Sequence, residues 1–406
     1  MGYSSGIPLF ALSFYGSLRC HRAIKTPCSR VLRLLLADEG LTIPCKTAGV
    51  KKLLMGLMLV AGASASAQEV KNLTGAGASF PNPLYQKLFS EYQKATSVQV
   101  NYQSVGSGTG QKQILAQTVD FAGTDAALSN DQLNSAPGAK AGQSGERAAI
   151  LHIPMALGAV VPIYNIPGVD AKVRFDGPLL ANIFLGDVKN WNDASIKALN
   201  PGITFPSLPI TVVRRSDGSG TTSIFVDYLS KASPEWASKI SKGPQTTVNW
   251  PVGVGAPQNA GVATSVKQTP GAIGYVEAIY ARQNKIDAGL VKNKSGAFID
   301  GSDLDTVVAA ANVAIPRDGR VSITDTTVKT GYPISGFTWI LVYRDQKYGN
   351  RTEAQGKATV DLLRWMITSG QQYYSVLDYG KLAGGALNRA STLVASISYG
   401  GKKFAK

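Results

Sequence analysis

Strand and helix patterns alternate along the chain from about residue 72 onward. Residues 98–102 place apolar side chains at every second position, which is typical of a strand. Residues 85–92 place apolar side chains on one helical face, with Asn82 as the predicted N-cap and Pro83 as the first helical residue. This alternation predicts an α/β fold with mainly parallel sheets. Further strands are predicted at residues 159–165, 210–214 and 337–344 and at Ala272–Glu277, and a last helix at residues 360–367.

Three loops rich in glycine and hydroxyl residues each precede a predicted helix: residues 74–80, 106–110 and 214–222. The helix after the second loop is predicted at residues 111–118. Glycine lets the backbone approach a ligand, and helix N-termini present unpaired N–H groups with a partial positive charge. One such loop is usually only a connection, but three of them predict a site for a small oxyanion. The hydroxyl donors are Ser79, Ser107, Ser219 and Thr221.

The loops do not match the motifs of nucleotide-binding proteins or serine hydrolases. A Walker A loop needs a lysine after its last glycine, and none follows here. The glycines at 75 and 77 lack the third glycine of a dinucleotide fingerprint. The sequence G-x-S-x-G of the nucleophile elbow is absent as well. The donor pattern therefore favours a small bare oxyanion.

Charge and composition agree with a globular protein that takes an anionic ligand. The chain has 406 residues and a formal net charge of +15. After residue 67 it has 33 basic and 24 acidic side chains, a net of +9. Such a field raises the encounter rate of anions, although a solvated basic surface has the same composition. No basic run is interleaved with aromatic residues in a nucleic-acid-binding module, so no nucleic-acid partner is predicted.

An export signal is predicted at residues 50–67. Lys51 and Lys52 precede a short apolar run, and Ala65-Ser66-Ala67 supplies an A-x-A cleavage site. The predicted product begins at Gln68 and is a soluble periplasmic protein. Residues 1–49 precede this signal, which is unusual. Either translation truly starts at Val50, so that the start site is assigned too far upstream, or the long leader is genuine.

Cysteine and histidine are too scarce beyond the predicted cleavage site for a thiolate metal site or a histidine cluster. All three cysteines (Cys20, Cys28 and Cys45) lie in the leader. His152 is the single histidine after residue 67, and we interpret it as structural. No metal and no cofactor are predicted.

The loops closely resemble those of the periplasmic phosphate-binding proteins of bacterial ABC phosphate importers. The matching stretches are residues 73–81, 111–129, 212–221 and 270–276, and residues 212–221 are the most specific. The similarity covers most of residues 72–344. It implies a protein that is not an enzyme, that acts as a monomer, and that delivers inorganic phosphate to permease subunits in the inner membrane.

The resemblance also implies which residues bind phosphate. In the first lobe these are Ser79, Phe80 (through its backbone N–H), Ser107 and Asp125. In the second lobe they are Arg215, Ser219, Gly220 and Thr221, with Asp217 holding the guanidinium of Arg215. Two departures from the family pattern affect this assignment: the family often has threonine where Ser79 stands, and residues 106–110 differ from the commoner Gly-Ser-Ser-Gly.

Asp125 explains why phosphate would be preferred to sulfate. Phosphate near neutral pH keeps a proton, so a buried carboxylate can accept a hydrogen bond from its P–OH group, whereas sulfate would face that carboxylate lone pair to lone pair. An unpaired buried acceptor together with like-charge repulsion costs several kcal/mol, on the order of a thousandfold or more in affinity. On sequence alone, Asp125 is equally well explained as a turn cap and Arg215 as a member of a surface ion pair.

The fold implied by the resemblance is a two-lobed, type II-like periplasmic binding protein with its ligand cleft between the lobes. Lobe I is predicted at residues 68–153 plus 334–406, and lobe II at residues 154–333. Two crossover segments, near residues 152–156 and 332–336, would join the lobes and let them close by hinge bending. Trp191, Trp250 and Trp339 are interpreted as packing residues, because phosphate has no apolar face.

Three alternatives remain open at this point. A receptor for arsenate or sulfate would use a similar anion grip, and arsenate is protonated like phosphate. A phosphohydrolase would need a metal cluster or an activated nucleophile, and neither pattern is present. An adhesive surface protein would bind no ligand tightly.

Overall fold

A computed structural model of the chain describes residues 70–140 and 142–405. The predicted leader at residues 1–49, the export signal at residues 50–67 and the three cysteines all lie outside these described residues.

The described residues form twelve α-helices and fourteen strands. The helices are α1 (Asn82–Thr96), α2 (Ser107–Leu115), α3 (Asn130–Asn134), α4 (Gly177–Leu185), α5 (Ala194–Leu199), α6 (Gly220–Ala232), α7 (Pro234–Lys239), α8 (Gln258–Gln268), α9 (Ala278–Asn284), α10 (Leu304–Ala310), α11 (Glu353–Ile367) and α12 (Gly384–Ala395). The strands are β1 (Asn72–Gly77), β2 (Gln99–Ser104), β3 (Phe121–Thr124), β4 (Ile150–Tyr164), β5 (Arg174–Phe175), β6 (Thr211–Arg215), β7 (Val254–Ala256), β8 (Ala272–Glu277), β9 (Asp287–Ala288), β10 (Leu290–Lys292), β11 (Phe298–Ile299), β12 (Ser335–Tyr343), β13 (Ser398–Tyr399) and β14 (Lys402–Lys403).

Nine of these strands form one mixed sheet in the order β2-β1-β3-β12-β4-β8-β6-β7, with β9 beside β4. Strands β1, β2 and β3 are parallel at one end of the sheet, and β6, β7 and β8 are parallel at the other. Strands β12 and β4 pair antiparallel with each other and with their neighbours in the middle. The prediction of mainly parallel sheets is therefore right at the two ends and wrong in the middle.

Strand β4 connects the two ends of the sheet. It is fifteen residues long and buried throughout. Residues 150–159 pair with β12, and residues 160–164 pair with β8. The pairing with β12 is irregular between Thr338 and Trp339, where Trp339 lies opposite Pro154. Proline has no N–H to give to the ladder, which accounts for the interruption.

Two helices begin at residues other than those predicted. Helix α1 is capped by Pro81 without a side-chain hydrogen bond, and the side chain of Asn82 accepts from Gln86 instead. Helix α2 begins at Ser107, four residues before the predicted start, and thus contains two glycines of its loop. A Cβ on Gly110 would lie 2.5 Å from the Cα of Gly77, so glycine is what allows α2 to pack against β1.

The tryptophans and the histidine lie where a packing role would place them. Trp191 and Trp339 are buried, and Trp250 packs against the core. The indole N–H groups of Trp191 and Trp339 donate to the carbonyls of Gly271 and Gly319. His152 is buried within β4, and its Nε2 accepts the backbone N–H of Leu128 at 2.9 Å. These contacts agree with the interpretation of these side chains as structural.

Candidate functional site

The three glycine- and hydroxyl-rich loops meet at one place. The loops after β1 and β2 leave the carboxyl ends of adjacent parallel strands, which brings them to the same edge of the sheet. The loop after β6 faces them from the other end of the sheet. The backbone N–H of Gly108 donates to the carbonyl of Gly218 at 2.9 Å, and the N–H of Gly220 donates to the hydroxyl of Ser107 at 3.1 Å. Residues far apart in sequence thus form one narrow cleft.

Glycine at position 220 is what allows this approach. A Cβ there would lie 2.5 Å from both the Oδ2 of Asp125 and the Oγ of Ser107. Since real Cβ atoms do not come so close to heavy atoms, any side chain at this position would push the two sides of the cleft apart.

Arg215 is buried at the end of β6, with only 4% of its surface exposed. Its Nε donates to the Oδ1 of Asp217 at 2.8 Å, and its Nη2 donates to Oδ2 at 2.5 Å. Burial raises the pKa of the Asp217 carboxyl, but the hydrogen bond and charge of Arg215 outweigh burial and hold that pKa below its usual value. Nη1 points the other way and donates to the hydroxyl of Thr221 at 3.3 Å.

Asp125 lies on the opposite side of the cleft, directly after β3, and is 3% exposed. Its Oδ1 is buried and accepts no hydrogen bond from the residues that the structure describes. Burial raises the pKa of this carboxyl to about 7, although the Thr338 hydroxyl, the charge of Arg215 and the Ser107 hydroxyl act to lower it. An unpartnered buried carboxyl is costly, so this oxygen is suited to accept a hydrogen bond from a ligand.

The hydroxyl residues line the same cleft. Ser79, Ser107, Ser219 and Thr221 are all buried. The Oγ of Ser219 accepts the N–H of Thr222 at 3.0 Å and so caps α6, whose N-terminus carries Gly220 and Thr221. Phe80 is fully buried, and the carbonyl of Ser79 accepts the hydroxyl of Tyr280 at 2.6 Å, which fixes the peptide that carries the N–H of Phe80. Every residue predicted for the site is therefore at this cleft or directly behind it.

Two buried polar residues of the cleft were missed by the sequence reasoning. Asn259, at the start of α8, donates to the hydroxyls of Ser79 and Thr221. No local pattern marks Asn259, because its two hydroxyl partners lie 180 and 38 positions away in the sequence. Glu277 ends β8 and is fully buried, so its pKa is raised well above the usual value. Nothing in the sequence distinguishes Glu277 from an ordinary strand end.

A cavity of about 220 Å³ opens beside Asp125. Its walls are mainly apolar and include Ile224, Phe337 and Trp339.

The described part of the chain has no group of three or more His, Cys, Asp or Glu residues that could hold a metal ion. Among the described residues, every helix is too short or too polar to span a bilayer.

Comparisons with known proteins agree with this geometry. Residues 62–369 match the model of a PBP superfamily domain. The phosphate-binding protein PstS of Xylella fastidiosa (strain 9a5c) is 40% identical over 319 residues, which cover 77% of this chain and 83% of the relative. The chain belongs to the phosphate-binding protein family. Its relative in Haemophilus influenzae, also a phosphate-binding protein PstS, is 37% identical over 314 residues, covering 77% of this chain and 89% of the relative.

Solved structures of other phosphate-binding proteins have the same fold as this chain. A high affinity periplasmic phosphate-binding protein, solved with bound phosphate, aligns with a TM-score of 0.63 at 21% identity over 80% of this chain and 93% of that chain. The phosphate-binding protein from Stenotrophomonas maltophilia gives a TM-score of 0.62 at 21% identity, over 78% and 92% of the two chains. The predicted two-lobed α/β fold is thus confirmed. The family comprises substrate-binding proteins rather than enzymes, as the sequence interpretation held.

Proposed function

We propose that this protein binds inorganic phosphate between its two lobes and delivers it to the permease of an ABC transporter for import. One observation carries the proposal. Hydroxyl groups, a buried guanidinium and a helix N-terminus lie together with Asp125, whose buried Oδ1 accepts no hydrogen bond from the described residues. A ligand that accepts many hydrogen bonds and donates one has the chemistry of singly protonated phosphate.

The proposed contacts divide between the two sides of the cleft. Ser79, the backbone N–H of Phe80, Ser107 and Asp125 form one side. Arg215, Ser219, Gly220 and Thr221 form the other, with Asp217 orienting Arg215. Each charge-assisted hydrogen bond contributes about 1.5–3 kcal/mol, and the N-terminus of α6 adds a favourable dipole. Asp125 accepts a hydrogen bond from the P–OH group of phosphate and excludes sulfate, which has no such proton.

The lobes are proposed to be residues 68–153 plus 334–406 and residues 154–333. The exchange of sheet partners along β4, from β12 to β8 between Ala159 and Val160, supports a crossing within this strand, a few residues beyond the proposed boundary. Strand β12 begins at Ser335, close to the second proposed crossing. A ligand held by donors from both lobes stabilises the closed arrangement, because only that arrangement brings all donors to it.

Localisation and partners follow from the family and the sequence. We propose export through the signal at residues 50–67, with cleavage after Ala67, and action as a periplasmic monomer. The partners are inorganic phosphate and permease subunits in the inner membrane. Arsenate carries a proton as phosphate does, and it is expected to compete for the same site.

Calorimetric titration tests the binding function. Protein freed of bound ligand by unfolding and refolding is titrated with phosphate, then arsenate, then sulfate. At pH 8 we expect one-to-one phosphate binding that is micromolar or tighter, about −8 kcal/mol or better, and no measurable sulfate binding. A folded protein that gives no heat with phosphate would rule the proposal out. Turnover of a chromogenic phosphate ester would favour the phosphohydrolase alternative instead.

A further inference from the structure

Each of three hydroxyl groups in the cleft receives hydrogen bonds on both of its lone pairs. The Oγ of Ser107 accepts the N–H groups of Asp125 and Gly220, at 3.3 and 3.1 Å. The Oγ1 of Thr221 accepts from Arg215 at 3.3 Å and from Asn259 at 3.0 Å. A hydroxyl has two lone pairs and one proton. Once both lone pairs are used, the proton is left to point at something else.

Asn259 accounts for this arrangement at two of the three hydroxyls. Its Nδ2 donates to Ser79 Oγ at 2.9 Å as well as to Thr221, and its backbone N–H donates to Ser79 Oγ at 3.1 Å. Ser79 therefore also accepts twice. One fully buried amide thus connects a hydroxyl on one side of the cleft to a hydroxyl on the other.

The orientation of the Asn259 amide is fixed by its own partners. Its Oδ1 accepts the backbone N–H of Glu277 at 2.9 Å. A flipped amide would set an N–H against the N–H of Glu277, so only one orientation satisfies that backbone group.

The backbone that carries Asn259 is anchored to the ion pair of the site. The preceding residue, Gln258, has φ +59, a left-handed conformation that is unusual for a residue with a side chain. Its N–H donates to Oδ1 of Asp217 at 3.0 Å, the same oxygen that accepts from Arg215. Strain of this kind persists only where surrounding contacts impose it, and such positions concentrate at functional sites.

We infer that Asn259 is a positioning residue of the phosphate site, which fixes the hydroxyls of Ser79 and Thr221 as hydrogen-bond donors to the ligand. This inference rests on the proposed function. Its consequence is that the site is made complementary to an acceptor-rich anion before the anion arrives, because the hydroxyls cannot turn their lone pairs toward it. Asp125 remains the proposed acceptor for the proton that the ligand carries.

The test reverses the polarity of the amide. Asn259→Asp keeps the shape but replaces the NH₂ group by a carboxylate oxygen, to which Ser79 and Thr221 would donate their protons. We expect phosphate affinity at pH 8 to fall by at least 30-fold relative to wild type. The matched control is Asn200→Asp. Asn200 is also buried, but it lies outside the cleft, where its side chain forms hydrogen bonds with the backbone of Arg174 and Ile196. That variant is expected to lose stability but to keep its phosphate affinity within about threefold.

The pH dependence separates positioning from a merely structural role. As the pH falls, the carboxyl introduced by Asn259→Asp becomes protonated and regains one donor. The ratio of the variant to the wild-type dissociation constant should therefore shrink several-fold between pH 8 and pH 5. Taking this ratio at each pH cancels the titration of free phosphate, which is the same for both proteins. A ratio that does not change with pH would contradict the inference.

A double-mutant cycle covers the case in which Asn259→Asp does not fold. Asn259→Ala and Ser79→Ala are measured singly and together. If Asn259 acts through Ser79, its replacement should weaken phosphate binding at least threefold less when Ser79 is already alanine. Equal losses in the two backgrounds would overturn the inference.

If wild type itself takes up no phosphate, the proposed function fails first; if wild type binds and the variants bind equally well, only the inference about Asn259 fails.

Discussion

The guanidinium of Arg215 and the carboxylate of Asp217 form a bidentate ion pair, with Nε 2.8 Å from Oδ1 and Nη2 2.5 Å from Oδ2. The pair saturates one edge of the guanidinium and leaves Nη1 directed toward Thr221. Because Asp217 also accepts the N–H of Gln258, the ion pair is tied to the start of α8. Arg215 is thus held in one orientation before any ligand arrives.

Replacing Arg215 by lysine should weaken phosphate binding although the charge is kept. Lysine has no planar fork, so it cannot bind Asp217 in bidentate fashion and still reach the cleft. Loss of one charge-assisted hydrogen bond costs about 1.5–3 kcal/mol, or roughly 10- to 150-fold in affinity. Calorimetric titration checks this, with Arg282→Lys as control, because Arg282 pairs with Asp378 and is largely exposed. Unchanged affinity in Arg215→Lys would mean that the guanidinium does not contact the ligand.

Asp125 should make sulfate binding depend on pH. Its pKa is raised to about 7 by burial. Above pH 7 the carboxylate repels sulfate, whereas below pH 7 the neutral carboxyl can donate a hydrogen bond to it. We therefore expect wild type to bind sulfate more tightly at pH 5 than at pH 8.

Asp125→Asn is the matching variant, because its amide donates at every pH. It should bind sulfate equally at pH 5 and pH 8, and its preference for phosphate over sulfate at pH 8 should fall at least tenfold. Titration calorimetry with both anions at the two pH values provides the comparison. Retention of the full preference by Asp125→Asn would assign selectivity to another group.

Gly220→Ala should impair binding through closure of the cleft. The added Cβ would meet Asp125 and Ser107 at 2.5 Å, and overpacking of this kind costs typically about 1–3 kcal/mol. The cost falls on the arrangement in which the two sides meet, so phosphate affinity should drop roughly 5- to 150-fold. Gly385→Ala serves as control, since a Cβ there has no heavy atom within 4 Å. Equal affinities in the two variants would argue against close contact between the sides.

His152 should make the protein sensitive to acid. Burial, followed by the charge of Arg320, lowers the pKa of His152 to about 3, below the value of about 6.5 expected in the unfolded chain. The unfolded state then binds more protons below pH 6.5, so stability is complete above that pH and is lost as the pH falls toward 3. The contribution lost at pH 5 is about 2 kcal/mol.

Urea unfolding of wild type and His152→Gln at pH 8 and pH 5 measures this loss. Glutamine can accept the N–H of Leu128 without titrating, so the variant should lose less stability between the two pH values. The same loss in both proteins would show that other groups cause the acid sensitivity.

The sequence could indicate the candidate site because most of its residues lie in local patterns. Ser79, Ser107 and the segment from Arg215 to Thr221 each stand at a strand end before a helix, and parallel strands bring such ends together. Asn259 was missed because its role depends on two distant hydroxyls, which only the folded chain brings to it. A polar residue with partners 180 and 38 positions away leaves no local signal.

Strand direction in the middle of the sheet could not be read from the sequence either. Strand β4 is buried on both faces, so it shows a continuous apolar run instead of alternation, and such a run suits parallel and antiparallel neighbours alike. Its first half also contains His152 and Pro154, which interrupt the apolar run. The sequence therefore predicted a strand at residues 159–165 only. The early start of α2 has a similar cause, since glycines 108 and 110 disfavour helix locally and are accepted for close packing.

The most direct test of the account is a crystal structure of the protein grown with phosphate. We predict one tetrahedral anion in the cleft, within hydrogen-bond distance of the backbone N–H of Phe80, the hydroxyls of Ser79, Ser107 and Thr221, and the guanidinium of Arg215. One of its oxygens should lie against the Oδ1 of Asp125. A phosphate bound outside this cleft, or one in the cleft that does not approach Asp125 and Arg215, would contradict the account.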